Sequence, residues 1–460
     1  MNSSFFASLT FSGARHRLTV FHGAKTCFRA VGVGLWPGGT EEEEDSMKVG
    51  RRPAVLLAVV LAVALSLVGS RSAPAAHAST KAAKLTIWVD NVQKPAVDKI
   101  TSSWGTRRGV DVNVVFHSFG TIRDDLKTVK AENAPDVIVA AHDWTGDLAA
   151  NGLVLSLFPT KALKKQFPKY ALDAFSYGGR LYGAPYALEN VGLVVNTRLV
   201  KVPKTFAQFE KEALAFKRKS PDNIALAVPQ GSGGDAYHMY PFFSGLGGFV
   251  FGHAKNGALQ PNKLGLASKT FLNNASLIDK WNREGLINSK IDYGTAKNAW
   301  LKQQAAFWIT GPWEVDALKA SGNPFRIIQL PKIKYQSVPF LGVQGAMVTK
   351  FAQAHGVESL AKDLVASEMM KAGFQLDLEQ ANLRYPANKL AGKRVNDPIL
   401  RQFGAAGAGG VPMPNIPQMG SVWAELGGAW VKATKGTGAT SARVAFTTAA
   451  KNILDKIAGG

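Results

Sequence analysis

The chain has 460 residues, of which 46% are hydrophobic and 19% charged, with a net charge of +21 and one cysteine. At roughly 150 residues per domain the length holds two or three domains, and the composition excludes a disordered, collagenous or polytopic membrane protein. The lone Cys27 excludes an intramolecular disulfide and a Cys-ligated zinc site, while the charge alone would suit nucleic acid or an anionic surface.

The long apolar run is Pro53 to Val68, preceded by Lys48, Arg51 and Arg52 and followed by a small-residue stretch ending at Ala78. A basic start, an apolar middle and an Ala-x-Ala end describe a secretory signal over 47–78. The run is short for a membrane span, and no cysteine lies near the cleavage region to carry a lipid, so an exported, extracellular or periplasmic protein without a lipoprotein anchor is expected. Residues 1–46 lack helical or strand patterning and end in Glu41 to Ser46. We read them as a mis-assigned extension, with translation starting at Met47; N-terminal sequencing that finds residues 1–46 in the protein would refute this. Without 1–78, which hold eight basic and five acidic residues, the remaining 382 residues keep a charge of +18 and no cysteine.

From Lys84 onward the pattern alternates. A strand over 84–89 is followed by a helix from Lys94 to Arg107 closed by Gly109, a strand from Val110 to Phe116, a helix from Ile122 to Glu132 and a buried strand from Pro135 to Ala140. Val191 to Asn196 is a further apolar strand, and Phe206 to Lys219 an amphipathic helix with Thr205 as N-cap. Helices over 271–284 and 296–305 precede a strand at 306–309. An extended segment at 339–343, a helix over 357–370, a flexible glycine-alanine connection over 404–410 and two terminal helices (422–432 and 440–457) complete the chain. Strands alternating with helices predict an α/β protein with a mainly parallel sheet.

No phosphate-loop, nucleophile-elbow or zinc-protease motif is present. Gly231-Ser232-Gly233-Gly234 lacks the spacing and the lysine of a nucleotide cradle and reads as a turn. Basic residues are spread rather than clustered with aromatics, so nucleic-acid binding is not expected. The informative side chains are aromatic: Trp144 after His142-Asp143, Tyr237 and Tyr240 after the glycine turn, Trp313 in Thr310-Gly311-Pro312-Trp313, and Trp423 after Met413 to Met419. Tryptophans at strand and loop ends beside polar groups suit a carbohydrate, whose C–H face stacks on the ring while carboxylates and amides take the hydroxyls. Any one of them alone reads equally well as core packing.

At these motifs the chain resembles the bacterial extracellular solute-binding proteins of sugar ABC transporters (family 1), above all their maltose/maltodextrin-binding members. The stretches are KLTIWV (84–89), APDVIVAAHDW (134–144), GGRLYGAPYALEN (178–190), ITGPW (309–313), PFLGVQG (339–345) and MPNIPQM (413–419), the last followed by Trp423. The resemblance implies a two-lobed periplasmic-binding-protein fold of type II with the ligand cleft between the lobes. The first lobe would comprise 84–188 plus 345–390 and the second 194–338 plus 411–460, with hinge crossings at 188–193 and 339–344 and a further one between 390 and 410. It implies ligand-binding roles for Asp143, Glu189, Asp235 (one methylene shorter than the family's glutamate), Tyr237, Trp313 and Trp423. The chain departs from the family pattern at Ala140, where a stacking Trp is absent, at Trp144 in place of an Arg, at Val92-Gln93 in place of an Asp-Lys pair, and at Gly427 in place of an Arg. Trp144 is counted in the site as a substitute aromatic surface.

The expected function is therefore the sugar-binding component of an ABC importer for a maltodextrin-like oligosaccharide: a monomer that closes on its ligand and docks on membrane permease subunits, with no cofactor, no metal and no catalytic residue. Two other functions compete. A secreted carbohydrate-active enzyme would use Asp143, Glu189 or Asp235 as acid and base. A binder of another small solute would use the positive charge to steer anions.

Overall fold

The computed structural model describes residues 82–459. The expected extension (1–46), the signal segment (47–78) and Cys27 lie outside the described residues.

Two sheets organise the chain. The first contains β1 (Ala83–Val89), β2 (Val110–Phe116), β3 (Val137–Ala141) and β4 (Gly183–Glu189). The second contains β5 (Gly192–Asn196), β6 (Phe307–Thr310) and β7 (Phe325–Ile328). The chain then returns to the first sheet with β8 (Phe340–Val348), β9 (Tyr385–Pro386) and β10 (Val411–Pro412). The first sheet is ordered β9-β4-β8-β3-β1-β2, with β10 pairing the start of β8; the second is β6-β5-β7.

The alternation seen in the sequence places each strand between two cores. In β3, Val137 and Val139 face one apolar cluster and Ile138 and Ala140 the other. In β5, Leu193 and Val195 face the large cluster of the second lobe, while Val194 joins Trp300 and Trp308 on the opposite side. Full burial of each large apolar side chain contributes about 1.5–3 kcal/mol, and a slip by one residue would exchange these faces.

The expected mainly parallel sheet is corrected to a mixed one. β1 is parallel to β2 and β3, but β8 is antiparallel to β3 and β4, and the second sheet is antiparallel throughout. The cause is the traffic between lobes. β4 carries the chain out and β5 begins three residues after Glu189, whereas β8 brings it back, so the outgoing and returning strands run in opposite senses with Gly342 opposite Glu189. Phe340 at the start of β8 belongs to the second lobe's core, and Val348 at its end to the first lobe's.

Four helices matter for the site: α1 (Ala236–Gly245), α2 (Tyr293–Leu301), α3 (Pro398–Ala406) and α4 (Trp423–Thr434). α3 runs through Gly404 to Ala406, so the expected flexible connection over 404–410 begins only after the helix ends. Asp397 caps it by accepting from the Ile399 and Leu400 N–H groups, Pro398 starts it, and Phe403 and Ala406 are buried with Trp300 and Trp308. Packing of its apolar face outweighs the low helix propensity of glycine. Gly407, which ends it, sits against the Asn190 side chain, where a Cβ would collide. The helix expected over 122–132 ends at Thr128, followed by a single 3-10 turn at Ala131–Asn133. The one expected over 271–284 is split at Ala275.

Candidate sugar-binding cleft

β3 delivers the chain into a 3-10 turn, His142–Trp144. His142 is fully buried; the Val343 N–H donates to its Nδ1 at 3.1 Å, and its Nε2 lies 3.0 Å from the Met413 carbonyl, which fits a neutral ring protonated on Nε2. Burial pushes its pKa down to about 4. One imidazole thus ties the end of β3 to β8 and to the segment that leads toward α4. Asn415 in that segment turns its amide toward the carbonyls of Asp173, Ala174 and Ser176, at 2.9–3.0 Å.

With His142 fixed, the next residue, Asp143, points across to α4, where Trp423 Nε1 donates to its Oδ2 at 3.0 Å. Burial pushes the Asp143 carboxyl up to about 6, against the opposing pull of the Trp423 hydrogen bond and the Arg123 charge. At the end of β4, the buried Glu189 accepts from Gln344 Nε2 at 2.8 Å and from Arg384 Nε at 3.0 Å, and Arg384 is held in turn by Asn382 Oδ1 at 2.6 Å. Behind them Asp90 accepts from the Val92 and Gln93 N–H groups and from Gln93 Nε2, and Tyr186 Oη donates to Gln93 Oε1.

The second lobe answers with rings. Trp313, Tyr237, Phe340 and Trp423 form a continuous band: Trp313 and Tyr237 are 6.1 Å apart, Tyr237 and Phe340 6.1 Å, and Phe340 and Trp423 5.8 Å between ring centroids. Asp235 is the N-cap of α1, accepting from the His238 N–H at 3.0 Å and approaching His238 Nδ1 at 2.7 Å. Burial works to raise the Asp235 carboxyl, but the His238 charge and hydrogen bonds prevail and hold it below its usual range. His238 stands edge-on to Trp313 at 5.6 Å and to Tyr293 at 6.2 Å. The bands meet at Gly342, where an added Cβ would lie 2.9 Å from Glu189 Cγ and 3.1 Å from Tyr237 Oη. Tyr237 Oη, Gln344 Oε1 and His238 Nε2 are buried without hydrogen-bond partners, which marks positions where polar groups of a ligand would be satisfied.

The fold therefore brings Asp143, Glu189, Asp235, Tyr237, Trp313 and Trp423 into one cluster. Trp144 stands apart: its ring packs on Phe119 at 5.0 Å, in the first lobe's core with Ile122 and Leu148, and is 7% exposed. Four residues that the sequence reading did not single out join the group. Phe340 was seen only as part of a hinge motif. His238, three residues after a helix-capping Asp, had a legible capping spacing. Gln344 lies in the same hinge motif as Phe340, and Arg384, 195 residues from Glu189, carried no local signal.

Gly234 and Gly427 pack against each other. Gly234 has φ +73°, and a Cβ there would overlap the Gly427 carbonyl. A side chain at 427 would in turn begin 3.0 Å from the Gly233 carbonyl. α4 thus lies flush against the glycine turn, in the space that a longer residue at 427 would need.

Among the described residues no group of three or more His, Cys, Asp or Glu could hold a metal ion, and no helix is long and apolar enough to cross a membrane.

Residues 82–367 match the family described as bacterial extracellular solute-binding protein. A galactooligosaccharide-binding protein of Bacillus subtilis (strain 168) is 26% identical over 400 residues, covering 82% of this chain and 91% of its own. A maltodextrin-binding protein of the same organism is 27% identical over 423 residues, covering 88% and 97%. The solved structure of the Thermus thermophilus maltotriose-binding protein with maltotriose superimposes with a TM-score of 0.73 at 26% identity, covering 81% of this chain and all of that one. With a two-lobed fold, a cleft between the lobes and a family match over more than half its length, the chain belongs to the bacterial extracellular solute-binding proteins.

Proposed function

We propose that the protein is the substrate-binding component of an ABC importer for an oligosaccharide of the maltodextrin kind. The observation that carries this reading is the opposition across one cleft of a ring band (Trp313, Tyr237, Trp423) and a carboxylate pair (Asp143, Glu189), each contributed by a different lobe. A pyranose has two chemically distinct surfaces, apolar C–H faces and a hydroxyl rim, and this arrangement serves both. Sugar contacts that need both lobes stabilise the closed form, which then docks on the permease. The lobes divide at 188–193 and 339–344, the chain is exported by the segment 47–78, and it works as a monomer. Asp235, which caps α1 and pairs with His238, keeps lone pairs for a sugar hydroxyl as Glu189 does.

A thermal-shift and calorimetric series over maltotriose, a galactooligosaccharide and glucose tests the proposal, because a ligand that binds only the native state raises the melting temperature. Stabilisation by an oligosaccharide, with the sugar recovered intact, is expected. Hydrolysis of the sugar would point instead to an enzyme using Asp143 and Glu189, and absence of any shift across the series would overturn the sugar reading.

A further inference from the structure

Two of the acid-free stretches of the chain are 148–172, between Asp147 and Asp173, and 380–396, between Glu379 and Asp397. They are far apart in sequence, and the fold joins them. The Lys389 N–H donates to the Gln166 carbonyl at 2.7 Å, and Asn388 Nδ2 donates to Gln166 Oε1 at 2.9 Å. This brings the short helices Lys161–Lys164 and Lys389–Gly392 together on the first lobe. Lys161, Lys164, Lys165, Lys389, Lys393 and Arg394 are all exposed there. The acids that border the stretches are committed elsewhere. Asp147 pairs with Lys127, Asp173 with Lys169, and Asp397 caps α3 beside Lys319, while Glu379 is buried.

The same two stretches expose large apolar side chains. Phe158 is 78% exposed, Leu390 50% and Tyr170 42%; Tyr170 lies near Tyr385, whose hydroxyl donates to the Gly392 carbonyl at 3.3 Å. A soluble polyanion would satisfy the cations and leave Phe158 and Leu390 in water. The interface of an anionic bilayer takes both: lysine stems lie along the boundary with their charges among the phosphates, and aromatic and aliphatic side chains enter the acyl edge. In the second lobe some exposed lysines are paired, Lys280 with Glu210 and Glu284 and Lys456 with Glu425, while Lys204, Lys255, Lys302 and Lys435 are exposed at positions scattered along the chain.

We propose that this face of the first lobe binds the headgroups of an anionic phospholipid bilayer and holds the protein at the membrane surface independently of sugar. The retained charge of residues 79–460 then acts as a concentrating device, since a protein confined to the membrane surface meets its permease far more often than one free in solution.

Flotation of the purified protein with phosphatidylcholine vesicles, with and without phosphatidylglycerol, at low and high salt, tests the proposal. Phosphatidylglycerol-dependent binding that weakens with salt is expected. Lys161→Glu, Lys165→Glu, Lys389→Glu and Lys393→Glu together should lower partitioning on the order of a thousandfold. The same change of charge at Lys204, Lys255, Lys302 and Lys435, exposed residues of the second lobe, should lower it less than about tenfold. Phe158→Ser with Leu390→Ser should weaken vesicle binding and leave binding to soluble polyphosphate unchanged. Melting curves of each variant establish that it is folded. Equal loss in the two charge variants, no phosphatidylglycerol dependence, or a response of polyphosphate binding to the serine pair would each overturn the proposal.

Discussion

The two lobes contribute opposite chemistry to the cleft. The first offers hydrogen-bonding groups wired to one another: Glu189 is held by Gln344 and Arg384, Asp90 by Gln93, and Asp143 is aimed by the locked His142. The second offers rings, whose polar member Asp235 caps a helix and pairs with a histidine. The two lobes divide the labour. Buried charges demand a fixed scaffold because an unpaired one is costly, whereas stacking tolerates small shifts of a ring. The wired lobe should therefore fail by unfolding when cut, and the ring lobe by losing ligand.

The sharpest test of that division is Arg384→Met, which strands the buried Glu189 carboxylate. It should cost about 3–5 kcal/mol of stability in a urea titration; a loss below about 1 kcal/mol would show that Glu189 does not depend on its partner. Next comes Asp143→Asn, read through pH. Asp143, raised to about 6, holds its proton more tightly in the folded chain, so its contribution is greatest in acid and is lost as pH rises from about 4 to about 6. His142, lowered to about 4, has the opposite sign: its contribution is present above the unfolded value and is lost as pH falls toward 4. The two slopes oppose each other in the native protein. Removing Asp143 should leave the His142 slope exposed, so the stability of the variant should gain about 3 kcal/mol on the parent between pH 4 and pH 7. A constant difference across that range would contradict the raised Asp143 value.

Trp313→Ala tests the other side. It should weaken oligosaccharide binding by about 2 kcal/mol, roughly thirtyfold by calorimetry, with the fold retained; unchanged affinity would remove Trp313 from the site. The smallest effect belongs to Tyr293→Phe, which deletes the hydroxyl bond to Glu314 Oε1 and should change stability by less than about 1 kcal/mol while sparing affinity. A large affinity loss there would mean that the second lobe also reads hydroxyls, and the division between lobes would blur.

What could be read in the sequence follows the same line. The period-two pattern of Val137 to Ala140 and Leu193 to Val195 was visible because burial on both faces selects apolar residues locally. The motif residues Asp143, Tyr237, Trp313 and Trp423 converge in the fold. The antiparallel return of β8 was not visible, since local alternation says nothing of which way a strand crosses between lobes. Arg384 was hidden because its reason for being apolar-surrounded and charged is a carboxylate 195 residues away. Trp144, next to Asp143 in the chain, packs its ring on Phe119 among core residues, a contact that the sequence alone did not separate from stacking on a ligand.

The contact between Gly234 and Gly427 also constrains how this chain can evolve. A side chain at 234 overlaps the backbone of α4, and one at 427 presses on the turn that carries 234. A side chain at 234 therefore requires the turn and the helix to draw apart, whereas one at 427 requires the Gly233 carbonyl to give by a few tenths of an ångström. Of the two, 427 is thus the position where this face of the cleft can be altered by a small residue without moving α4 as a whole.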